Sequence, residues 1–412
     1  MSREAGKTSN FSKFLLLWFG ELISSVGGGL TSFGLGVYVF KETGSAGAMA
    51  MVTLLAFLPT LLFSVPAGVL ADRYDRRLLM MLGDGCSGIG IIFILICMMN
   101  GGASLTQIGI GVFVSAVFSS LLEPAYRATV SDILTEDEFS KASGLVSIAG
   151  SARFLISPLL AGILLSVADV KVLLIIDILT FVFTVITTGI VRKEIVTKQT
   201  QKQESFMQSL KEGFRAVCEK KGVFTLILVS SVLTCFMGTL QILAEPLILD
   251  FSNSTILGIG ETICATGMLV SSIFLGVRGI KKNYVKTLAV SLIGAGIAMT
   301  LFGIKENIYV ICTFGFLFFA MLPFANNCLD YLVRTNIDKD LLGRAWGVIG
   351  FLSQIGYVVA YALAGNLADI TAHQMNIGVG RGAAVVVMGA GVLLALTAIP
   401  ILFLKSVRKL EH

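Results

Sequence analysis

Charged side chains are scarce in this sequence: Asp, Glu, Lys and Arg make up 14% of its 412 residues. Soluble globular proteins carry about 25%, because their surfaces face water. Hydrophobic residues make up 55% of the chain, and its mean hydropathy is +0.87. A deficit of charge over so long a chain means that most of its surface faces lipid. The composition therefore excludes an ordinary soluble protein.

Proline and histidine are rare, and cysteine follows no pattern. Seven prolines and no low-complexity run argue against long disordered segments. Two histidines, with no HExxH, GxSxG or Walker-type loop, argue against the enzyme classes that use those motifs. The seven cysteines form no CxxC or Cys/His pattern, so neither a disulfide framework nor a zinc site is predicted. We expect no bound metal.

Long apolar runs dominate what is present. A helix needs about 20 apolar residues to cross a bilayer core of about 30 Å, and twelve segments meet that length. The run from Phe14 to Phe40 is too long for a signal-peptide core, so we expect it to be the first span and expect no cleavable signal. The predicted spans are residues 14–40, 46–70, 78–99, 104–126, 140–167, 172–191, 222–249, 256–277, 285–304, 307–333, 342–368 and 382–404.

The positions of Lys and Arg predict the orientation in the membrane. With both termini in the cytoplasm, all but five of the 31 basic residues fall on the cytoplasmic side, as the positive-inside rule requires. The exceptions are Lys41, Lys171, Lys305 and Arg381 outside, and Arg153 within a span. This asymmetry explains the net charge of +5 without a nucleic-acid partner.

The twelve spans divide into two similar halves. We predict a six-helix bundle over residues 1–191, a cytoplasmic linker over 192–221 and a second bundle over 222–412. At an offset of 200 residues, Ala168-Asp169 meets Ala368-Asp369, which favours a parallel repeat about an axis normal to the membrane. The predicted fold class is an all-α membrane protein with twelve transmembrane helices in two six-helix pseudo-repeats.

A basic loop between the second and third spans has a specific order: Gly68-Val-Leu-Ala-Asp-Arg-Tyr-Asp-Arg-Arg77. The loop resembles the signature between helices 2 and 3 of the major facilitator superfamily, G-x-L-a-D-r-x-G-r-[RK], with Asp75 in place of the second glycine. The resemblance implies a gating role at the cytoplasmic face, and we expect Asp84 in the third span to brace this loop. The matching residues are Gly68, Leu70, Ala71, Asp72, Arg73, Arg76 and Arg77.

A narrower resemblance is to the drug-efflux branch that contains macrolide efflux transporters. It rests on the stretches Glu42-Thr-Gly-Ser-Ala46, Phe57-Leu-Pro59, Ala71-Asp-Arg-Tyr-Asp-Arg76 and Ser157-Pro158. The resemblance implies export of a small molecule by proton antiport, with alternating access and a central cavity between the halves. It also implies a proton gradient in place of a cofactor. We further expect a monomer in the plasma or inner membrane.

Ionisable residues inside the predicted spans are candidates for the cavity. Each costs about 2.5–3.5 kcal/mol at a helix centre unless it is paired or faces water. Glu21, Glu245 and Glu261 could face a cavity or lie at an interface, and Glu123 could do either. Arg153, near the middle of the fifth span, needs a glutamate partner or contact with an anionic group.

Polar residues in two other spans are also candidates for a functional or structural role inside the membrane. Adjacent amides at Asn326 and Asn327 need hydrogen-bond partners in hydrocarbon, and they could line the cavity or pack against neighbouring helices. Asp177 in the sixth span is expected to make a structural pair.

Burial disfavours a charged carboxylate, so a proton from outside and a substrate from inside can compete for one acid. Glu21 is the first candidate for this role and Glu261 the second. One alternative is an exporter of an anionic metabolite such as a siderophore, which Arg153 would favour. A channel or a membrane enzyme is the alternative of a different class.

Overall fold

The computed structural model describes residues 10–135, 138–194, 214–215, 217–219, 221–337 and 341–411, and their regular structure is helical throughout. Within these described residues, twelve stretches are long and apolar enough to cross a membrane, which confirms the predicted fold class. The helices are α1 Phe11–Thr43, α2 Ala46–Arg73, α3 Arg76–Met99, α4 Leu105–Ser119, α5 Leu122–Ile133, α6 Phe139–Leu155, α7 Ser157–Val167, α8 Val170–Glu194, α9 Lys221–Phe251, α10 Ser254–Arg278, α11 Tyr284–Phe302, α12 Ile308–Asn336, α13 Leu342–Met375, α14 Val379–Ala398 and α15 Lys405–Arg408.

The fourth and fifth spans are broken, whereas the sequence predicted each as one helix. The fourth consists of α4 and α5, with Pro124 in the first turn of α5. The fifth consists of α6 and α7, with Pro158 at the start of α7. A proline ring clashes with the carbonyl four residues earlier and has no N–H to donate, so it favours a new helix start at these points.

The outer faces of the helices carry large apolar side chains. Ile89 and Ile96 on α3 and Leu179 and Ile186 on α8 are all more than half exposed. Exposed apolar patches of this extent are unfavourable in water, whereas a bilayer accommodates them. The chain is a multi-pass membrane protein.

The described helices fall into two compact units. Unit 1 contains the described residues of Met1–Tyr38 and Leu55–Lys202, and unit 2 those of Val39–Leu54 and Gln203–His412. The predicted linker, 192–221, lies largely outside the described residues. The core at one end of unit 1 brings together α1, α2, α3, α5, α6 and α8; its buried members include Phe14, Leu79, Met80, Ile133 and Val191.

Unit 2 is held together by close backbone contacts. At the crossing of α11 and α14, a Cβ on Gly296 would lie 2.6 Å from the carbonyl oxygen of Gly391, and a Cβ on Gly391 would lie 2.7 Å from that of Gly296. These distances leave no space for a side chain. Small residues allow membrane helices to gain packing energy that lipid cannot supply.

The first turn of α2 belongs to unit 2 and is capped by a carboxylate from α13. Asp369 accepts hydrogen bonds from the Ser45 hydroxyl at 2.6 Å and from the backbone N–H groups of Ala46 and Gly47, each at 2.9 Å. The free N–H groups at a helix start need such acceptors, and the helix dipole favours a negative charge there. This cap is one of the contacts that join residues 39–54 to α13 within unit 2.

Replacing Asp369 with Ala should destabilise the start of α2. We expect Asp369→Ala to lower the free energy of unfolding by about 1–2 kcal/mol, as loss of an N-cap does. Denaturant unfolding in mixed micelles measures this change. Asp169→Ala is the matched control, because Asp169 forms an exposed ion pair with Lys171 and such pairs contribute less than about 1 kcal/mol. Equal losses in the two variants would contradict the capping role.

Candidate functional site

An open cavity of about 890 Å³ lies in unit 2, among α9, α10, α12 and α13. Its volume is within the range of about 300–1,000 Å³ typical of small-molecule sites. The lining residues are Leu226, Ile227, Ser230, Thr234, Met268, Ser272, Leu275, Gly276, Pro323, Asn326, Asn327, Leu329, Asp330, Val333, Trp346, Ile349, Gly350, Ser353, Gln354 and Tyr357.

The cavity wall combines apolar side chains with hydrogen-bonding groups whose partners are incomplete. Within the described structure, Ser353 Oγ and Gln354 Oε1 are buried and have no hydrogen-bond partner. A buried polar atom without a partner costs about 1–3 kcal/mol. Both residues line the cavity, so a bound molecule with hydrogen-bonding groups could satisfy them.

Contacts between α9 and α13 position this wall. The Thr234 hydroxyl donates to the carbonyl of Ser353 at 2.5 Å, and the Tyr361 hydroxyl donates to Gln241 Oε1 at 3.2 Å. A Cβ at Gly356 would overlap the backbone and side chains of α9. Glycine there lets the two helices approach closely, which fixes the rotation of α13 and therefore the direction of Gln354.

The structure places Asn326 and Asn327 on the cavity wall, both exposed to it. Glu245 on α9 and Glu261 on α10 are not among the lining residues. At a rise of about 1.5 Å per residue, Glu245 lies about 16 Å beyond the last lining residue of α9. Glu261 lies about 10 Å before the first lining residue of α10. The charge of Glu261 acts on Glu245, and Glu245 Oε2 is buried without a hydrogen-bond partner in the described structure.

A second group of polar residues lies in unit 1. Asp84 on α3 and Asp177 on α8 are each 1% exposed, and the charges of Glu21 on α1 and of Asp177 both act on Asp84. Three acids on three neighbouring helices therefore influence one another inside the membrane region. The sequence suggested a loop brace for Asp84 and a structural pair for Asp177, but not that the three lie together.

Hydroxyl groups supply the hydrogen bonds of the two buried aspartates. Ser24 Oγ donates to Asp84 Oδ1 at 3.4 Å, and Thr31 Oγ1 donates to Asp177 Oδ2 at 2.6 Å. Thr180 Oγ1 donates to the backbone carbonyl of Asp177 at 2.7 Å and lies 3.4 Å from the other carboxylate oxygen, Oδ1. Each carboxylate is thus connected to α1 by a neutral donor.

Arg153 and Glu123, the remaining candidates of unit 1, lie near its surface. Arg153 lies in the last turn of α6, beside the break in the fifth span. It donates to the Ser32 hydroxyl at 3.2 Å and acts electrostatically on Asp177. Glu123 forms an ion pair with Arg127 at 2.8 Å, and both side chains are more than two-thirds exposed.

The turn between α2 and α3 is stabilised by Asp75, the residue that departs from the family signature. Asp75 caps α3 by accepting from the backbone N–H groups of Arg77 and Leu78, and Arg192 Nε donates to Asp75 Oδ2 at 2.6 Å. Partial burial would raise the pKa of Asp75. The hydrogen bond and charge of Arg192, with the two backbone donors, lower it below its ordinary value.

Arg76 joins this turn to α5. It pairs with Asp132 at 2.7 Å and donates to the carbonyls of Ala71 and Ala128, each at 3.1 Å. Arg77, the last residue of the motif, is buried, with 2% of its surface exposed. Gly68, the first residue, has open space beside it: a Cβ there would meet no heavy atom within 4 Å in the described structure.

Arg73 ends α2 with an exposed side chain. The side chain of Asp72 lies outside the described residues.

A family model for the Major Facilitator Superfamily matches residues 17–361, and this match covers most of the chain. The chain belongs to the major facilitator superfamily. Members are transporters and not enzymes, which confirms the resemblance seen in the Gly68–Arg77 loop.

Curated relatives are efflux proteins. Macrolide efflux protein A of Streptococcus pyogenes is 26% identical over 364 residues, covering 87% of this chain and 89% of that protein. Multidrug efflux pump Tap of Mycobacterium tuberculosis (strain ATCC 25618 / H37Rv) is 22% identical over 377 residues, covering 88% of each.

Solved structures share the fold at low identity. The nucleoside transporter NupG aligns with a TM-score of 0.72 at 13% identity, over 95% of this chain and 100% of that one. A bacterial homologue of the iron transporter ferroportin, in an inward-facing state, aligns with a TM-score of 0.73 at 15% identity, over 96% and 99%. At this identity the likeness establishes the fold.

Sequence reasoning missed the cavity wall on α13. Trp346, Gly350, Ser353 and Tyr357 recur at intervals of four, three and four residues, which places them on one helix face. That periodicity was visible in the sequence and could have identified the wall.

Replacing Asp75 with Asn tests the ion pair in the α2–α3 turn, because Asn can still cap a helix. The pair is half-exposed, so we expect Asp75→Asn to lower the free energy of unfolding by up to about 1 kcal/mol at neutral pH. Because the folded-state pKa is lowered, this contribution is present above the ordinary aspartate pKa of about 3.9 and is lost as pH falls below it.

Denaturant unfolding in micelles at pH 7 and near pH 3 would measure both effects. Glu219→Gln is the control, because its partner Arg215 is 80% exposed. An unchanged stability for Asp75→Asn at pH 7 would show that the ion pair contributes nothing to the fold.

Proposed function

We propose that this transporter exports small amphipathic molecules of the drug or macrolide class by proton antiport with alternating access. The observation that carries the proposal is the unit 2 cavity. Its volume of about 890 Å³ suits a sizeable molecule, and its wall joins apolar residues to amides and to the rings of Trp346 and Tyr357. The names of the relatives, macrolide efflux protein A and multidrug efflux pump Tap, support this substrate class.

The charge of the cavity favours a neutral or cationic substrate over an anionic metabolite. Its described lining contains one acid, Asp330, and no Lys, Arg or His. Asp330 is paired with Arg334 at 2.8 Å, which reduces its net field. Arg153, which suggested an anionic substrate, is in unit 1 and interacts with Ser32 and Asp177.

We further propose that both termini lie in the cytoplasm of a cell whose plasma or inner membrane holds the protein as a monomer. The distribution of Lys and Arg supports this orientation. With it, the cavity lies toward the cytoplasmic ends of α9 and α13, where a molecule to be exported would enter.

Proton coupling is assigned to Glu21 first and to Glu261 second. Both are partly buried acids on spanning helices, where a charge is costly and a proton removes it. Antiport follows if each state of the transport cycle admits either the proton or the substrate, but not both. The proton gradient then drives the substrate outward.

Gln354 tests the cavity. Gln354→Ala removes a hydrogen-bonding group whose oxygen has no protein partner, so we expect the Kd for the macrolide erythromycin to rise about tenfold, equivalent to about 1.4 kcal/mol. Asn366→Ala is the control, because Asn366 lies on the same helix, is exposed and bonds within α13. Titration of purified protein in micelles would measure both. Unchanged affinity in Gln354→Ala would remove this wall from the site.

Glu21→Gln tests the coupling. In proteoliposomes, we expect this variant to lose pH-driven efflux while erythromycin exchange at equal pH remains, because Gln keeps the shape but cannot release a proton. Glu261→Gln tests the second candidate in the same assay, and Glu306→Gln, in an exposed loop, is the control. Persistent pH-driven efflux in Glu21→Gln would remove Glu21 from the mechanism.

A further inference from the structure

Beyond Glu21, a line of buried polar groups follows α1 through unit 1. We propose that Tyr126, Glu21, Asp84, Thr180 and Asp177 form a proton path along α1, here named the α1 seam. This inference rests on the proposed proton antiport and adds a route by which the proton reaches and leaves Glu21.

Burying ionised acids in the α1 seam costs free energy. Asp84 and Asp177 are each 1% exposed on helices that cross the membrane, where an ionised carboxylate is expensive. Both Glu21 and Asp177 act electrostatically on Asp84. Neighbouring carboxylates in a medium of low polarity repel one another when they are ionised, and a proton on one of them relieves that repulsion.

The hydroxyl groups beside the acids provide the connections. Ser24 binds Asp84, and Thr31 binds Asp177. A hydroxyl both donates and accepts hydrogen bonds, so it can pass a proton by accepting one and releasing another. Ser24 and Thr31 are seven residues apart, two turns along the same face of α1 and about 10 Å in rise.

Thr180 occupies the space between these two connections. It lies against α1 at Gly27, where a Cβ would overlap Thr180 Oγ1 and would lie 2.7 Å from Asp177 Oδ1. A side chain at position 27 would therefore displace both groups. Glycine at this position keeps polar atoms of α8 in contact with α1, midway between Ser24 and Thr31.

An independent observation at the other end of the seam indicates a missing partner. Tyr126 on α5 is 4% exposed, and its hydroxyl has no hydrogen-bond partner in the described structure. The charge of Glu21 acts on this hydroxyl. A buried hydroxyl without a partner is unfavourable, and in the proposed path a transient proton carrier such as water supplies that partner between Tyr126 and Glu21.

Charged residues flank the seam at both ends. Glu123 on α5, exposed and paired with Arg127, acts on Glu21. Arg153 on α6 is exposed and acts on Asp177. With Tyr126 and the three seam acids, these are the charged and titratable groups whose interactions a pH response would involve.

The transfer is a series of oxygen-to-oxygen proton exchanges. At each step one O–H bond breaks and one forms, and no group is oxidised or reduced. From Glu21 to Thr31 the route rises about 15 Å along α1, half of a hydrocarbon core of about 30 Å. Glu21 and Asp177 would then exchange protons with opposite sides of the membrane.

The test separates proton coupling from substrate handling in proteoliposomes loaded with erythromycin. We expect Asp84→Asn and Asp177→Asn each to reduce pH-driven efflux by more than about tenfold, the scale on which a positioned acid or base acts. Exchange of erythromycin at equal pH, which moves no net proton, should stay within about twofold, an energy change below about 0.5 kcal/mol.

Conservative variants distinguish a loss of proton transfer from a loss of folding. Thr31→Val should reduce pH-driven efflux, because it removes the donor to Asp177, and Thr31→Ser should restore it. Tyr126→Phe should slow pH-driven efflux without changing exchange. Asp169→Asn and Thr129→Val are the controls, because Asp169 pairs with Lys171 at the surface and the buried Thr129 hydroxyl donates within α5.

Three results would overturn the inference. Full pH-driven efflux in both Asp84→Asn and Asp177→Asn would show that the seam carries no proton, with the proposed antiport intact. A loss in Thr31→Val that Thr31→Ser does not restore would assign Thr31 to packing. Efflux driven by a sodium gradient and not by a pH gradient would overturn the proposed proton coupling, and the α1 seam with it.

Wild-type protein without gradient-driven efflux of erythromycin or of the cationic dye ethidium would overturn the proposed function, and the seam with it. That outcome is distinguishable from the other three, because the wild type itself fails.

Discussion

Hydrocarbon offers no water to a polar group, and the main features of this protein depend on that constraint. The helices satisfy their own backbone groups, so the remaining cost falls on polar side chains and helix ends. At the helix ends, Asp369 accepts from free backbone N–H groups at the start of α2, and the half-exposed Asp75 does so at the start of α3. Where the cost is left unmet, at Gln354 in unit 2 and at Tyr126 in unit 1, we place the substrate and the proton path.

The number of spans could be predicted from the sequence because the membrane makes the relevant pattern local. A bilayer fixes the length of an apolar helix, so each span is visible within its own 20 or 30 residues. The family could be predicted for a similar reason, since the Gly68–Arg77 loop is a short continuous motif. Its departure at Asp75 was visible too, but its partner Arg192 is 117 residues away.

Contacts between distant segments could not be predicted in this way. Asp369 caps Ser45-Ala46, more than 320 residues earlier, and no local pattern indicates that pairing. The residues that line the cavity could not be predicted for the same reason. Whether Gln354 faces a cavity or lipid depends on the rotation of α13 about its axis, which packing at Gly356 determines. Pro124 and Pro158 were visible in the sequence, but a proline can kink a helix or end it, and surrounding contacts decide which occurs.

The hydroxyl-rich contact between α1 and α8 is costly if its role is purely structural. Gly20 and Gly27, one heptad apart, bring α1 against Thr187, Thr184 and Thr180. Apolar side chains at such a contact would pack without burying polar groups, and replacing buried charged networks with apolar residues is often neutral or stabilising. Asp84 and Asp177 add a cost that packing does not require. A proton that moves along them gives that cost a function, because a carboxyl group that is always neutral or always charged cannot carry one.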